Sequence, residues 1–244
     1  MTVIYDLKKI GIWQTADATV LATQITPKQF VGQIRIEDLN KDFKIDANDR
    51  QIIGNFEPKW IGGFTSTFSF KGIELSAVLY SRIGMLVGVP YVTADGGAQG
   101  YPMFMQSRRN QLKVDYWTPN NPTNKFPRPD ASKDNPMFGS TLGYIDGSFV
   151  KIRTIDLSYN IPSKYFAKSG INSLKVFVNI LNPLVLYSPF VKEGYGPDPE
   201  GNGYGGTVTS PLAGGSTSIP GRAITVNANT PSTRQVNFGL NLKF

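Results

Sequence analysis

Apolar and polar residues alternate one for one over several stretches of this 244-residue chain. The carboxy-terminus is the clearest. Val236, Phe238, Leu240, Leu242 and Phe244 are apolar, and Gln235, Asn237, Gly239, Asn241 and Lys243 between them are polar or small. A period of two belongs to a β-strand with one greasy and one wet face. Over 60–70, Phe64, Phe68 and Phe70 oppose Thr65, Thr67 and Ser69. Lys71-Gly72 then predicts a tight hairpin turn into 73–81, where Ile73, Leu75, Ala77 and Leu79 share a face. Over 148–160, Ile155, Leu157 and Tyr159 oppose Thr154, Asp156 and Ser158, and Pro162 ends the run. Over 173–182, Leu174, Val176, Val178 and Ile180 oppose Lys175 and Asn179, and Pro183 follows. Strands are therefore expected at 60–70, 73–81, 148–160, 173–182 and 234–244.

The connections between them alternate short and long. Lys71-Gly72 and 161–172 are short, whereas 82–147 and 183–233 are long. Short turns at one end and long loops at the other mark an outer-membrane barrel. A soluble β-sandwich also alternates apolar and polar residues. Here, however, the loops outweigh the strands, and the apolar faces have no second set of strands to pack on. The expected class is all-β, an antiparallel transmembrane β-barrel fragment of about five carboxy-terminal strands with long extracellular loops. Residues 1–59 are expected to be an extracellular loop region and 60–244 the barrel strands with loops 82–147 and 183–233. Five strands cannot close a barrel, and open edges in lipid leave costly unpaired backbone. The chain is thus expected to be the tail of something longer. The absence of an export signal in its first residues points to a truncated amino-terminus.

Composition narrows the chemistry. The chain has no Cys and no His, which removes thiol nucleophiles, Ser-His-Asp triads and Cys/His zinc sites. Any enzyme would have to work with carboxylates, Lys or Tyr alone, and no catalytic residue is expected. The net charge of +7 is scattered, with Lys8-Lys9 and Arg108-Arg109 the only adjacent basic pairs. No nucleic-acid motif accompanies it, and nucleic acid is not an expected partner. No run of 18 apolar residues offers a membrane helix.

One segment suits a hard cation. Asp38, Asn40, Asp42, Asp46 and Asp49 place oxygen side chains at positions 1, 3, 5, 9 and 12 of a loop, as in an EF-hand. Phe43 replaces the glycine of that motif, and Asp49 is a short twelfth ligand. Calcium is the only cofactor the sequence suggests. The competing reading is an acidic turn rich in Asp and Asn for ordinary turn chemistry.

These residues carry a resemblance. Gly11-Ile-Trp13-Gln14, the 38–55 stretch, Pro58-Lys59-Trp60, Tyr116-Trp117-Thr118-Pro119-Asn120, Phe126-Pro127-Arg128-Pro129, Asp146-Gly147-Ser148-Phe149-Val150-Lys151-Ile152-Arg153, Leu157-Ser158-Tyr159 and the terminal Phe238–Phe244 stretch resemble, in order, the SusC/RagA family of TonB-dependent outer-membrane transporters. The resemblance implies the carboxy-terminal portion of a 22-stranded barrel whose amino-terminal plug is absent here. It implies residence in the cell outer membrane of Bacteroidetes-type bacteria and uptake of oligosaccharides, or peptides. The partners implied are a SusD-like lipoprotein, the TonB complex acting through the missing amino-terminal part, and the barrel-assembly machinery. Phe238, Leu240, Leu242 and Phe244 resemble the signal that this machinery reads. The alternative function is a secreted, soluble, β-rich glycan-binding module.

Loop 82–147 concentrates aromatic and basic residues. Tyr101, Arg108, Tyr116 and Trp117 are the candidate substrate-binding residues, since rings stack on sugar faces and guanidinium groups bond hydroxyls. The competing reading is that such rings pack the loop onto itself, because large loops need their own cores. Trp60, Tyr80, Tyr144 and Tyr159 lie near strand ends and are candidates for an aromatic girdle, or else for simple hairpin packing.

Overall fold

A computed structural model describes residues 3–22, 25–89, 114–128, 137–166, 170–200, 203–204, 207–209, 216–218, 224–225 and 234–244. These form two compact units interleaved along the chain. One comprises Pro58–Ile83, Ser148–Pro189 and Ser232–Phe244; the other comprises Met1–Glu57, Gly84–Gly147 and Phe190–Pro231.

The first unit is a five-stranded antiparallel sheet. Its strands are β5 (Trp60–Phe70), β6 (Ile73–Ile83), β9 (Phe149–Ile161), β10 (Ser173–Tyr187) and β15 (Gln235–Lys243), the intervening numbers belonging to the other unit. Their spatial order is β15-β10-β9-β6-β5. The alternation seen in the sequence sets the register. Phe68, Leu75, Leu157, Val178 and Phe238 lie opposite one another in a row across all five strands. Phe70, Ile73, Tyr159, Val176 and Leu240 form the next row. This apolar face is uncovered, with Phe238 and Phe244 each 78% exposed and Phe64 65%.

The opposite face is polar. Thr67, Ser76, Asp156, Asn179 and Asn237 form a row at the same depth. Thr67 Oγ1 donates to Ser76 Oγ at 3.2 Å, Asn179 Nδ2 to Asp156 Oδ1 at 2.5 Å, and Asn237 Nδ2 to Asn179 Oδ1 at 3.3 Å. Each strand has between 9 and 15 residues, as long as or longer than a tilted bilayer crossing needs. No helix among the described residues is long and apolar enough to cross a membrane, which bears on helices alone.

Lys71 and Gly72, with φ of 46° and 84°, make the two-residue turn between β5 and β6. Positive φ at both central residues matches the twist of a hairpin. β10 runs past the proline expected to end it. Its pairing with β9 slips between Leu181 and Leu184, and Asn182 takes φ of 48°. Pro183 thus sits in a bulge, where no ladder hydrogen bond is asked of it.

The second unit is built from short strands around its own core. β1 (Val3–Leu7) pairs antiparallel with β4 (Arg50–Asn55), and β2 (Lys9–Ile12) with β3 (Ile34–Ile36). The sequence reading placed no strand in this stretch. β7 (Leu86–Gly88) pairs with β8 (Tyr144–Asp146); β11 (Gly203–Tyr204) pairs with β14 (Ile224–Thr225), which lies parallel to β7. β12 (Thr207–Thr209) pairs with β13 (Ser216–Ser218). The helices α1 (Ala18–Ala22) and α2 (Pro189–Lys192) are about one turn each. Leu7, Ile12 and Ile34 are buried almost completely, and Ile4 and Phe56 pack with Ile53, Leu86 and Tyr144.

Candidate functional site

The segment 114–128 is the described part of the aromatic loop, and it is knitted to the stretch that opens the chain. Trp117 is buried and donates its indole N–H to Gln14 Oε1 at 2.8 Å. Its ring lies over Gly32, where a Cβ would come within 2.6 Å of it and where φ is 84°. Only glycine meets both demands without strain. Gln14 Nε2 in turn donates to the Thr123 carbonyl at 3.3 Å and to Asn124 Oδ1 at 3.2 Å. Asn124 Oδ1 also accepts from the Ile12 N–H at 3.1 Å, and the Arg128 N–H reaches the Gly32 carbonyl at 2.8 Å. Trp13 is buried as well; its N–H donates to Gln29 Oε1, and Arg35 stacks 4.4 Å from its ring. The residues of Gly11-Ile-Trp13-Gln14 therefore act as the clamp that holds the loop.

Of the candidate binding residues, Trp117 is the hub of this packing. Tyr116 beside it is 43% exposed. Tyr101 and Arg108 lie outside the described residues. The turn 115–123 is also tied by bonds of its own. Asp115 accepts from Asn121 Nδ2 and Thr123 Oγ1, each at 2.8 Å, and these two hydrogen bonds hold its carboxyl below the usual carboxylate range. Phe126 packs on Tyr195, which also meets Phe190. Burial, reinforced by the Glu193 carboxylate, pushes the Tyr195 hydroxyl up to about 12. Lys125 pairs with Glu193, whose hydrogen bond raises its amine. Lys9 donates to the Lys125 carbonyl at 2.5 Å, and desolvation brings its amine down to about 8.

The Asp/Asn-rich loop is ordered by its own side chains. Asp38 accepts from the N–H groups of Lys41 and Phe43, Asn40 from Asp42, and Asp42 from Lys44, at 2.7–3.1 Å. Phe43, standing where the EF-hand has glycine, takes φ of 62°. Asp46 and Asp49 form a reciprocal capping box around a short 3₁₀ turn, and Asp49 also accepts from the Leu39 N–H at 2.8 Å. Fully buried, Asp49 has both oxygens satisfied by backbone. Among the described residues no group of three His, Cys, Asp or Glu side chains is placed to hold a metal ion.

Phe238, Leu240 and Leu242 lie on the apolar face of β15, exposed as a membrane-facing strand requires, and Phe244 follows, exposed as well. Trp60 and Tyr159 are exposed as a girdle would have them, whereas Tyr80 and Tyr144 depart from that expectation. Tyr144 donates to Asp6 Oδ2 at 2.9 Å, and burial with that carboxylate raises its hydroxyl. Tyr80 turns to the polar side, where Arg82 Nε donates to its hydroxyl at 2.8 Å and Arg153 stacks 3.6 Å from its ring.

No family model matches the chain. The TonB-dependent receptor P26 of Formosa agariphila is 26% identical over 98% of this chain, which spans 22% of that protein. TonB-dependent receptor P3 of the same organism is 24% identical over 81% of this chain and 18% of its own length. The chain thus spans about a fifth of the curated relatives it matches. Among solved structures, the RagAB peptide importer in its open-open state superposes with a TM-score of 0.57 at 19% identity, over 99% of this chain and 22% of that one. The structure of the RagAB peptide transporter gives 0.54 at 18%, over 99% and 22%. Over nearly its whole length the chain is thus similar in sequence to TonB-dependent receptors and in fold to the RagAB structures.

Proposed function

We propose that this chain supplies barrel strands and outer-loop structure to a TonB-dependent importer of the outer membrane, one that takes up oligosaccharides or peptides together with a SusD-like lipoprotein. The observation that carries this reading is the uncovered apolar face. Rows of Phe, Leu, Ile, Val and Tyr run across five strands, backed by a polar row at the same depth. Such a face in water would be a large aggregation-prone patch; in a bilayer it is the lipid-facing wall, and the polar face lines the lumen. The relatives named above are receptors and importers, and the chemistry asked of this chain is binding and passage rather than catalysis.

Fractionation tests this directly. Membranes of the source cells are separated and probed with an antiserum to 193–221, and the intact mass of the detected species is measured. A detergent-extracted outer-membrane species several times heavier than 26.8 kDa is the expected result. A soluble species of 26.8 kDa would overturn the reading in favour of a secreted binding module.

A further inference from the structure

Side-chain size is uneven on the uncovered face of the five-stranded sheet. Val176 and Val178 of β10 are short, whereas the strands on either side set Leu157 and Tyr159 (β9) and Phe238 and Leu240 (β15) at the paired positions. The valines are thus the floor of a groove that runs along β10 between two taller walls. Its volume is about 840 Å³, inside the ~300–1,000 Å³ range of small-ligand pockets. It belongs to the apolar face. Ser158, Phe177 and Gly239 border it too, but the polar-face residues next to them, Glu74, Asp156, Lys175 and Asn179, do not.

One end of the groove differs from the rest. It reaches the β5–β6 turn, where Lys71 is the only charged residue among the described residues that line it. Lys71 is exposed, and among the described residues no carboxylate pairs with it. Its amine lies 5.1 Å from the centre of the Phe70 ring, which orients the charge without neutralising it. Tyr159 stands at the same end. A Cβ on Gly72 would lie 3.5 Å from Tyr159 Cε2, so this ring rests against the turn that carries Lys71. Lysine and tyrosine at a membrane boundary keep an apolar stem in hydrocarbon and a polar tip among headgroups. A groove that is apolar along its length and cationic at one end matches an amphiphile with an anionic head. The short turns of outer-membrane barrels are periplasmic, and the leaflet on that side is built of glycerophospholipid.

We propose that this groove is a binding site for an anionic glycerophospholipid, with an acyl chain along Val176 and Val178 and the phosphate held by the Lys71 amine. This rests on the importer reading above and deepens it: one stretch of the lipid-facing wall selects its lipid by headgroup charge. Tyr159 is the positioning residue that walls the groove where head meets chain.

The test uses the full-length protein extracted from source membranes in mild detergent. Phosphatidylglycerol with a photoactivatable diazirine in its acyl chain is added, and after illumination the labelled residues are mapped by peptide mass spectrometry. Label on 157–159, 176–178 and 238–240 is expected to exceed that on Phe64 and Phe68 of the same face about fivefold or more, and unlabelled phosphatidylglycerol should displace it at about a fifth of the concentration that phosphatidylcholine needs, as one lysine at an anionic head implies. Lys71→Asn should abolish that difference between competitors; Asn-Gly suits a two-residue turn with positive φ at both positions, so the variant keeps the hairpin. Val176→Phe with Val178→Phe raises the floor and should remove the excess label on Leu157 and Leu240 while Lys71 is intact. Equal displacement by the two lipids, or a preference that survives Lys71→Asn, would overturn the site. Label spread evenly over the apolar face would overturn it too and leave the lipid-facing wall standing, whereas a face left unlabelled altogether would overturn both.

Discussion

Leu75 and Ser76 are neighbours in β6 at the same depth, one on the apolar row and one on the polar row. Placing a lysine at each in turn tests which side meets lipid. Leu75 is 42% exposed and flanked by Phe68 and Leu157 on the adjoining strands. Its row lies inside the apolar band, one step from the Tyr159 row, so Leu75→Lys puts an ammonium into the lipid-facing wall. The cost there lies between the ~0–1 kcal/mol of an interface and the ~2–4 kcal/mol of the midplane, up to a ~1000-fold loss in the folding equilibrium. Ser76 stands opposite Asp156, so Ser76→Lys gains a carboxylate neighbour in a wet lumen and should stay within ~1 kcal/mol of the parent. The assay is the urea midpoint of the full-length protein in phospholipid vesicles, followed by the heat-sensitive gel mobility of folded barrels. A large drop for Leu75→Lys alone is expected. Equal drops, or a larger one for Ser76→Lys, would refute the assignment of the two faces.

Three further outcomes follow from packing and charge. A Cβ on Gly239 would lie 2.1 Å from Cζ of Phe177, so Gly239→Ala should cost about 1–3 kcal/mol through overpacking, and Phe177→Leu should recover much of it; additivity in a double-mutant cycle would count against this contact. Trp117→Ala should cost about 3–5 kcal/mol of local stability and expose 114–128 to limited proteolysis, whereas Tyr116→Ala should do neither. Desolvation takes the Lys9 amine from the ordinary 10.5 down to about 8, so folding opposes its protonation. Stability of its unit should therefore rise as pH climbs from about 8 toward 10.5, and the pH midpoint of Lys9 acetylation, read by peptide mapping, should fall near 8.

Alternation found the five sheet strands because each has one face in each of two different surroundings, so period two is written into the residues. It did not find β1 to β4. Three to six residues are too few to display a period, and Leu7 and Ile12 are buried for local packing reasons that composition does not show. The end of β10 was misplaced because a proline ordinarily stops a strand, and only the left-handed Asn182 reveals the bulge that accommodates it. Trp117 illustrates a different limit. An aromatic residue in a loop looks the same in sequence whether it meets a ligand or Gly32. The cluster at Tyr80 was hidden for the opposite reason. Reading period two straight through 149–155 sends Lys151 and Arg153 to the lipid side, whereas the pairing with β6 skips Arg153 and sets Lys151 opposite Tyr80 on the polar side.

The short ladder between β7 and β8 bears on the order in which the sheet assembles. β5–β6 and β9–β10 are joined locally and can form within microseconds as independent hairpins. Bringing β6 to β9 means closing the 65 residues 84–148, against the 11 residues 162–172 between β9 and β10. As a free loop, the longer closure carries an entropy penalty larger by about 1.6 kcal/mol. But Leu86 pairs with Asp146 and Gly88 with Tyr144, and the Gly147 N–H reaches the Met85 carbonyl at 3.0 Å. Once those few bonds exist, the two points where the insertion joins the sheet are about one strand spacing apart, and the long excursion behaves kinetically as a tight turn. Closing that base carries nearly the same loop entropy itself, so the β7–β8 and β6–β9 ladders support each other: either one, once formed, makes the other local.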